Sequence, residues 1–311
     1  MNIRTTPLAM YDRQMQAMRL HSSKWAAVQE QATTGLKINR PSDDPLTTVS
    51  ILASQAEDMQ LEMQQNNVDM LTSQLNQSND AVLQANRLMT RARQLALDAA
   101  NSTNDSTNRK LMVNEVDRLL EQMLSTANTS VDGRYLFGGT ATAKAPFVVT
   151  ARDTDNRITA IAYQGSENRA FVRVGRDEQI STLYQGDQVF MRPGQNVFEQ
   201  LIGLREELMN TAGMSEADLN AALTARVGGI ETVQQRLLNT VGEMSSSLEA
   251  LQSLKTRLGD IRTLVKSHIG DMQSADMAEV VVNLRTQETL FSNTLAVSAR
   301  VFNLSLLDYL R

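Results

Sequence analysis

The chain has no cysteine, so disulfides and thiolate metal sites are excluded and nothing marks a redox compartment. Aromatic residues make up only 4% of the 311 positions, against a hydrophobic content of 41% that includes 16 Met and one Trp. That balance argues against one large aromatic core and for helix–helix seams of Leu, Val, Met and Ala. An excess of one charge is lacking too. The 30 basic and 35 acidic residues are mixed along the chain for a net charge of −5, and no basic stripe suggests nucleic acid. No apolar run approaches the roughly 20 residues that span a bilayer, so no membrane partner is expected. The opening MNIRTTPLAMYDRQMQAM has no uninterrupted apolar stretch and no small-residue cleavage site, which argues against a conventional secretory signal. The length suffices for two or three domains.

What is present is a hydrophobic pattern that reaches both ends. From Ser274 to Arg311 there is neither Gly nor Pro, and Val280, Leu284, Phe291, Leu295, Phe302, Leu306 and Tyr309 recur almost to the last position. Free ends usually fray into solvent, so an apolar terminal helix needs a partner. At the other end Leu8, Tyr11, Met15, Met18, Ser22, Trp25, Gln29 and Ala32 follow alternating steps of three and four, the 3.5-residue period of helices wound together. The simplest reading pairs the two ends with each other or with the ends of neighbouring subunits.

Between them the chain reads as long helices around a short β-like stretch. A first helix is expected from Thr5 to Thr34, ending at Gly35 in a left-handed cap. In the following GLKINRPSDDP, Asn39, Arg40 and Pro41 turn the chain. Ser42, Asp43 and Asp44 offer capping oxygens, and Pro45 suits the first helical position. A helix from Pro45 to Ala100 should follow, on the regular seam Val68, Leu71, Leu75, Ser78, Val82, Ala85, Met89, Ala92, Ala96 and Ala99. At 1.5 Å per residue it would be roughly 80 Å long. The polar NSTNDSTN links it to a third helix with Met112, Val116, Leu119, Met123 and Ala127 buried. From Arg134 to Met191 the period becomes two, in YLFGG, APFVVT, ITAIAY, AFVRV and QVFM, which predicts four to six short strands with a turn at Asp153–Asn156. Helix returns at Asn196 and again after Ser215, with a seam through Leu223, Val227, Ile230, Gln234, Leu237, Val241, Met244, Leu248 and Leu251. That seam then jumps to Leu254, Leu258, Ile261 and Val265 in a stammer. Gly270 should break it, and Ser274 or Asp276 restart it. The fold class is therefore mainly α: a long antiparallel coiled-coil rod from the N- and C-terminal regions, with a small β-rich domain inserted in the middle.

Chemistry-bearing constellations are few. Asp43 and Asp44 form a carboxylate pair, but no third ligand lies nearby and cap chemistry explains them. His21 and His268 are isolated. Met10, Met15, Met18, Met59, Met63 and Met70 could line an adaptable groove, though Met at helical spacing is more often plain packing. Gly138-Gly139 and Gly228-Gly229 match no phosphate loop. No catalytic residue, metal ligand or cofactor site is expected.

Several motifs together resemble the flagellin superfamily, and within it the hook–filament junction proteins. They are the GLKINRPSDDP loop, Gln65-Asn66-Asn67, the segment Arg91 to Asn101, GRYLFGG at 133–139 with Ala145-Pro146-Phe147, and NLSLLDYL at 303–310. The resemblance implies a non-enzymatic subunit of the bacterial flagellum. Residues 1–45 with 271–311 would form an inner coiled-coil assembly domain, 46–133 with 196–270 a helical rod domain, and 134–195 a small outer β domain. It implies an assembly interface of Leu8, Tyr11, Met15, Met18, Trp25, Leu284, Phe291, Leu295, Val301, Phe302, Leu306, Leu307 and Tyr309. It assigns Asn39, Arg40, Pro41, Asp43, Asp44 and Pro45 to the loop and helix cap. The implied partners are further copies in a ring, the first junction protein on the hook (hook-associated protein 1), flagellin, and a flagellar export chaperone. The implied location is extracellular, at the hook–filament junction, after export by the flagellar type III pathway without a cleaved signal. Three other readings compete: a short flagellin that polymerises, a cytoplasmic coiled-coil scaffold, and an ordinary antiparallel bundle whose ends pair internally.

Overall fold

Where the sequence places its turn and cap signals, the helices begin and end. The computed structural model describes the backbone of residues 7–101, 106–166, 168, 170–173, 179–209 and 215–309, and side chains over 11–101, 108–166, 168, 184–209 and 215–300. Helix α1 (Pro7–Thr34) ends at Gly35, whose φ of 70° is the left-handed conformation that a side chain would strain. Helix α2 (Pro45–Asn101) runs for 57 residues and α3 (Ser106–Ala127) follows. Four two-stranded antiparallel hairpins come next: β1 (Ser130–Val131) with β2 (Arg134–Tyr135), β3 (Phe147–Arg152) with β4 (Ile158–Tyr163), β5 (Ala170–Arg173) with β6 (Gln179–Leu183), and β7 (Met191–Arg192) with β8 (Gln195–Asn196). A one-turn helix α4 (Gly186–Phe190) precedes β7. Helices α5 (Val197–Met209), α6 (Glu216–Gln273, 58 residues) and α7 (Met277–Tyr309) complete the chain.

The mainly α class with a central β-rich insert is what forms, with local differences. QVFM was expected as strand, but Gln188–Phe190 lie in α4 and only Met191 is extended. The run is too short for periodicity to separate a buried strand from a buried helical turn. Among the described residues six strands, β2 to β7, begin within the expected stretch from Arg134 to Met191, and β1 and β8 lie just outside it, where the turns at Asp132-Gly133 (φ 50° and 75°) and Pro193-Gly194 (φ 75° at the glycine) each close a two-residue ladder. Gly270 does not break α6, since a single glycine costs a helix only about 1 kcal/mol. The break comes at Ser274–Asp276, where Asp276 caps α7 by accepting from the amides of Ala278 and Glu279 at 2.9 and 3.3 Å. Ser215 caps α6 by accepting from the Asp218 amide at 3.2 Å.

Within residues 64–258, helices α2 and α6 run antiparallel: Asp69 meets Lys255, Thr90 meets Gln234 and Arg93 meets Glu231, one number rising as the other falls. By its contacts the chain divides into two units: 1–63 with 259–311, and 64–258. The second holds the core. Its helical seam is dry and apolar through Leu75, Val82, Ala85, Met89, Ala92, Val116, Met123, Leu201, Leu223, Ile230, Leu237 and Met244. The hairpin region adds an aromatic cluster that composition did not foretell. Phe147 packs on Tyr163, Phe190 and Phe198 at centroid distances of 5.3, 5.6 and 5.4 Å, and Phe137 on Phe190 at 4.9 Å. The Asn128 side chain pairs with the backbone of Phe147 as a strand would, donating at 2.8 Å and accepting at 3.0 Å. Buried Arg205 of α5 donates to Asp117 of α3 at 3.0 Å, and Arg157 of the β3–β4 hairpin reaches the same carboxylate at 3.2 Å.

Candidate assembly surface

In the first unit, a loop ties α1 to the start of α7. The amide of Lys37 donates to the Gln273 carbonyl at 2.7 Å and that of Ala275 to Gly35 at 2.9 Å, which turns the chain ends back along each other. The following loop residues take separate tasks. Asp43 does not cap α2: its Oδ2 accepts from the amides of Asn39 and Arg40 at 3.0 and 2.8 Å, holding the turn before Pro41. Asn39 donates to the Leu36 carbonyl at 3.1 Å, and exposed Arg40 pairs with Glu30 at 3.0 Å. Asp44 is the cap, accepting from the Thr47 amide at 3.1 Å and hydroxyl at 2.6 Å, with Pro45 opening the helix. The Thr47 hydroxyl bond holds the Asp44 carboxyl below its ordinary value. Thus the paired carboxylates stabilise backbone. Among the described residues no group of His, Asp and Glu is arranged to hold a metal ion.

Helix α1 packs against α7, so the two ends pair with each other within this chain. The ring of Trp25 stacks on Phe291 at 5.9 Å with an interplanar angle of 1°, and Gln14 donates to the Ser298 hydroxyl at 3.0 Å. On α1 the half-buried seam is Gln14, Met18, His21, Trp25, Val28 and Ala32; on α7 it is half-buried Leu284, Gln287, Phe291 and Thr294 with buried Val280 and Ser298 at its ends. Both follow steps of four and three, as expected for a coiled coil. The register differs from the apolar reading. Tyr11 is 46% exposed and Leu295 42%, and Ser22 and Gln29 are also exposed. Polar Gln14, His21, Gln287, Thr294 and Ser298 take the seam in their place. Apolar content alone could not reveal this, because two adjacent stripes on one helix share the same period. Met15, Met18, Trp25, Leu284 and Phe291 are half-buried. The backbone of Leu8, Val301, Phe302, Leu306, Leu307 and Tyr309 is helical, but their side chains lie outside the described residues.

The first unit is poorly buried. Of the described side chains it holds four buried apolar ones, Ile38, Ile51, Leu61 and Val280, against fifteen of the twenty large apolar side chains left exposed. The proportion is reversed in the second unit, so this deficit belongs to the terminal unit alone. Sequence reasoning missed its clearest part. Val49, Leu52, Ala56, Met59 and Met63 step by three and four along α2 and are all exposed, the four larger ones at 67, 58, 59 and 61%. Ile51 and Leu61 are buried on another side of α2, and Asp58 and Glu62 are bridged by Arg262 of α6 at 2.7 and 2.5 Å. The spacing of the Met residues is the available signal: Met59, Met63 and Met70 are exposed and not packed.

A chain with this order of helices and hairpins has known counterparts. Residues 7–142 match the family model described as the bacterial flagellin N-terminal helical region. The chain is 25% identical over 296 residues to flagellar hook-associated protein 3 of Escherichia coli K12, with 92% of this chain and 91% of that protein covered. To the protein of the same name from Salmonella typhimurium it is 22% identical over 307 residues, covering 92% and 93%. The fold matches a crystal structure of Xanthomonas campestris FlgL at a TM-score of 0.61 and 16% identity, over 70% of this chain and 99% of that one. It also matches flagellar hook-associated protein 3 of Legionella pneumophila at a TM-score of 0.62 and 14% identity, over 71% and 98%. The resemblance read from the motifs is therefore borne out, and so is the fold class.

Proposed function

We propose that this protein is a structural subunit of the bacterial flagellum that joins the hook to the filament. One observation carries the reading: among the described side chains the terminal unit exposes fifteen large apolar ones and buries four. A unit so built gains its stability when neighbours cover it, because binding to the folded state adds to folding. The family match supports the flagellar setting, and the hook-associated relatives support the junction over the shaft. In this reading 1–45 with 271–311 form the inner assembly layer, 46–133 with 196–270 the rod, and 134–195 the outer surface. Tyr11, Leu295 and the C-terminal residues Val301 to Tyr309 face neighbouring subunits in a ring. One end of that ring meets hook-associated protein 1 and the other meets flagellin. The subunit is delivered by the type III route with its export chaperone and acts outside the cell. The role needs no catalysis.

The flagellin-family match also favours a second reading, a short flagellin that forms the filament itself. Concentrating the purified protein with and without hooks that carry hook-associated protein 1, then imaging the products, separates the two. A short collar found only on those hooks supports the adaptor. Long tubes from the protein alone, which require its upper face to fit its own lower face, support flagellin. A deletion strain with bare hooks and flagellin in the medium would support the adaptor in the cell.

A further inference from the structure

Between α3, α5 and the β3–β4 hairpin lies a cavity of about 410 Å³, within the size range of small-ligand sites. Three cations line it, Arg109 and Lys110 near the start of α3 and Arg157 from the hairpin turn, and among the described residues no carboxylate does. The apolar lining is buried Val113 and Leu208, with Met209 at the end of α5, 43% exposed. Arg157 is the fixed part. It meets Asp117 of α3 at 3.2 Å and Asp155 at 3.4 Å, and its Nη1 lies 3.3 Å from the Met209 sulfur, so one guanidinium ties the hairpin to both helices. Asp117 also serves buried Arg205 at 3.0 Å, so two carboxylates balance two arginines. Half-buried Arg109 and exposed Lys110 make no ion pair among the described residues. They leave the cavity with two uncompensated positive charges, at the end of α3 whose dipole disfavours cations.

We infer that this cavity binds an amphiphilic acid, with its carboxylate on Arg109 and Lys110 and its hydrocarbon body against Val113, Leu208 and Met209. An inorganic anion would leave the apolar wall wet, and a neutral hydrocarbon would leave the charges unanswered; a carboxylate on an aliphatic body answers both. Two sources carry that chemistry, a free aliphatic acid and a protein segment with acidic and apolar side chains side by side. The inference is independent of the flagellar reading, since every lining residue belongs to the second unit.

The test uses the full-length protein with carbon-13 in its methionine methyl groups and reads Met209, assigned by the loss of its signal in Met209→Leu. Octanoate should move that signal saturably, while the signals of exposed Met59 and Met63, which are outside the cavity, stay in place. Arg109→Gln and Lys110→Gln should each weaken the apparent affinity about tenfold, the loss of one charge-assisted contact, with the other methyl signals reporting that the fold is kept. Octanol, which has the body without the charge, should bind at least about tenfold more weakly than octanoate. An acetylated, amidated peptide of alternating leucine and glutamate is run beside them. If it acts at lower concentration than octanoate, the acid belongs to a protein segment; if octanoate acts at lower concentration, it is a free acid; either supports the site. No saturable movement of Met209, octanol as strong as octanoate, or unchanged affinity when both cations are replaced by Gln overturns the inference.

Discussion

Replacing Phe291 by Ala should loosen the pairing of the two chain ends and leave the second unit intact. Phe291 is half-buried against α1 and stacks on Trp25 at 5.9 Å. Half of a phenylalanine's burial removes on the order of 100 Å² from water. At about 25 cal/mol per Å² this contributes about 2.5 kcal/mol. The aromatic pair adds about 0.5–1.5 kcal/mol beyond area. Alanine keeps part of the first contribution, so the expected loss is about 2–3 kcal/mol, below the range of about 3–5 for a fully buried Phe. In a unit with four buried apolar side chains among those described, that is a large share of what holds it. Trp25 is the one tryptophan of the chain, so its fluorescence reports this contact without interference. In Phe291→Ala its emission should shift to the red, become more open to acrylamide, and unfold at lower urea. Far-UV dichroism should retain the later transition of the second unit. Leu290→Ala is the control, since Leu290 sits beside Phe291 but is 39% exposed. Equal quenching of Trp25 in the wild type and in Phe291→Ala would refute the α1–α7 pairing as drawn.

Asp44→Ala should cost about 1 kcal/mol at the start of α2, read as faster hydrogen exchange at residues 46–48. Asp58 is held below its ordinary value of 3.8 by the Arg262 hydrogen bond, so its contribution is present above that pH and lost as the pH falls through the lower, folded-state value. Thermal melts of Asp58→Asn should therefore show a shallower acid-side decline than the wild type. In Gly186→Ala the new Cβ would sit 2.6 Å from the Phe147 ring and 2.7 Å from the Phe137 carbonyl, so overpacking should lower stability by about 1–3 kcal/mol in urea unfolding. Leu284→Asp should leave the second unit folded yet prevent incorporation at the hook tip, scored by microscopy, because a buried carboxylate without a partner costs several kcal/mol.

Helix ends were the most legible part of the chain, because each is set by local chemistry. Gly35 needs its positive φ, Asp44 and Asp276 need only amides two or three residues on, and Pro45 needs no donor. Strand content was less legible. The expected APFVVT and ITAIAY runs pair as drawn around Asp153–Asn156, yet the flanking two-residue ladders are products of turn geometry and carry no alternation to read. The aromatic cluster was hidden in an average. A content of 4% over the whole chain says nothing about Phe137, Phe147, Phe190 and Phe198 gathering where the hairpins meet the helices.

The terminal seam shows where periodicity stops deciding. A helix with apolar residues on two neighbouring faces offers two registers of the same 3.5-residue period, and hydrophobicity ranks the faces without saying which partner each one meets. On α1 the ranking favours Tyr11 and Met15, while the pairing with α7 takes Gln14, Met18, His21 and Trp25. The polar choice has a physical basis, since the Gln14–Ser298 bond is made in one alignment of the two helices and lost in a shifted one. A seam of this kind trades burial for register. It leaves Tyr11 and Leu295 exposed, and on α2 the stripe from Val49 to Met63 is exposed as well. An internal bundle would have placed its most apolar faces inward. That this chain places them outward is the physical reason to read its ends as surfaces for other subunits.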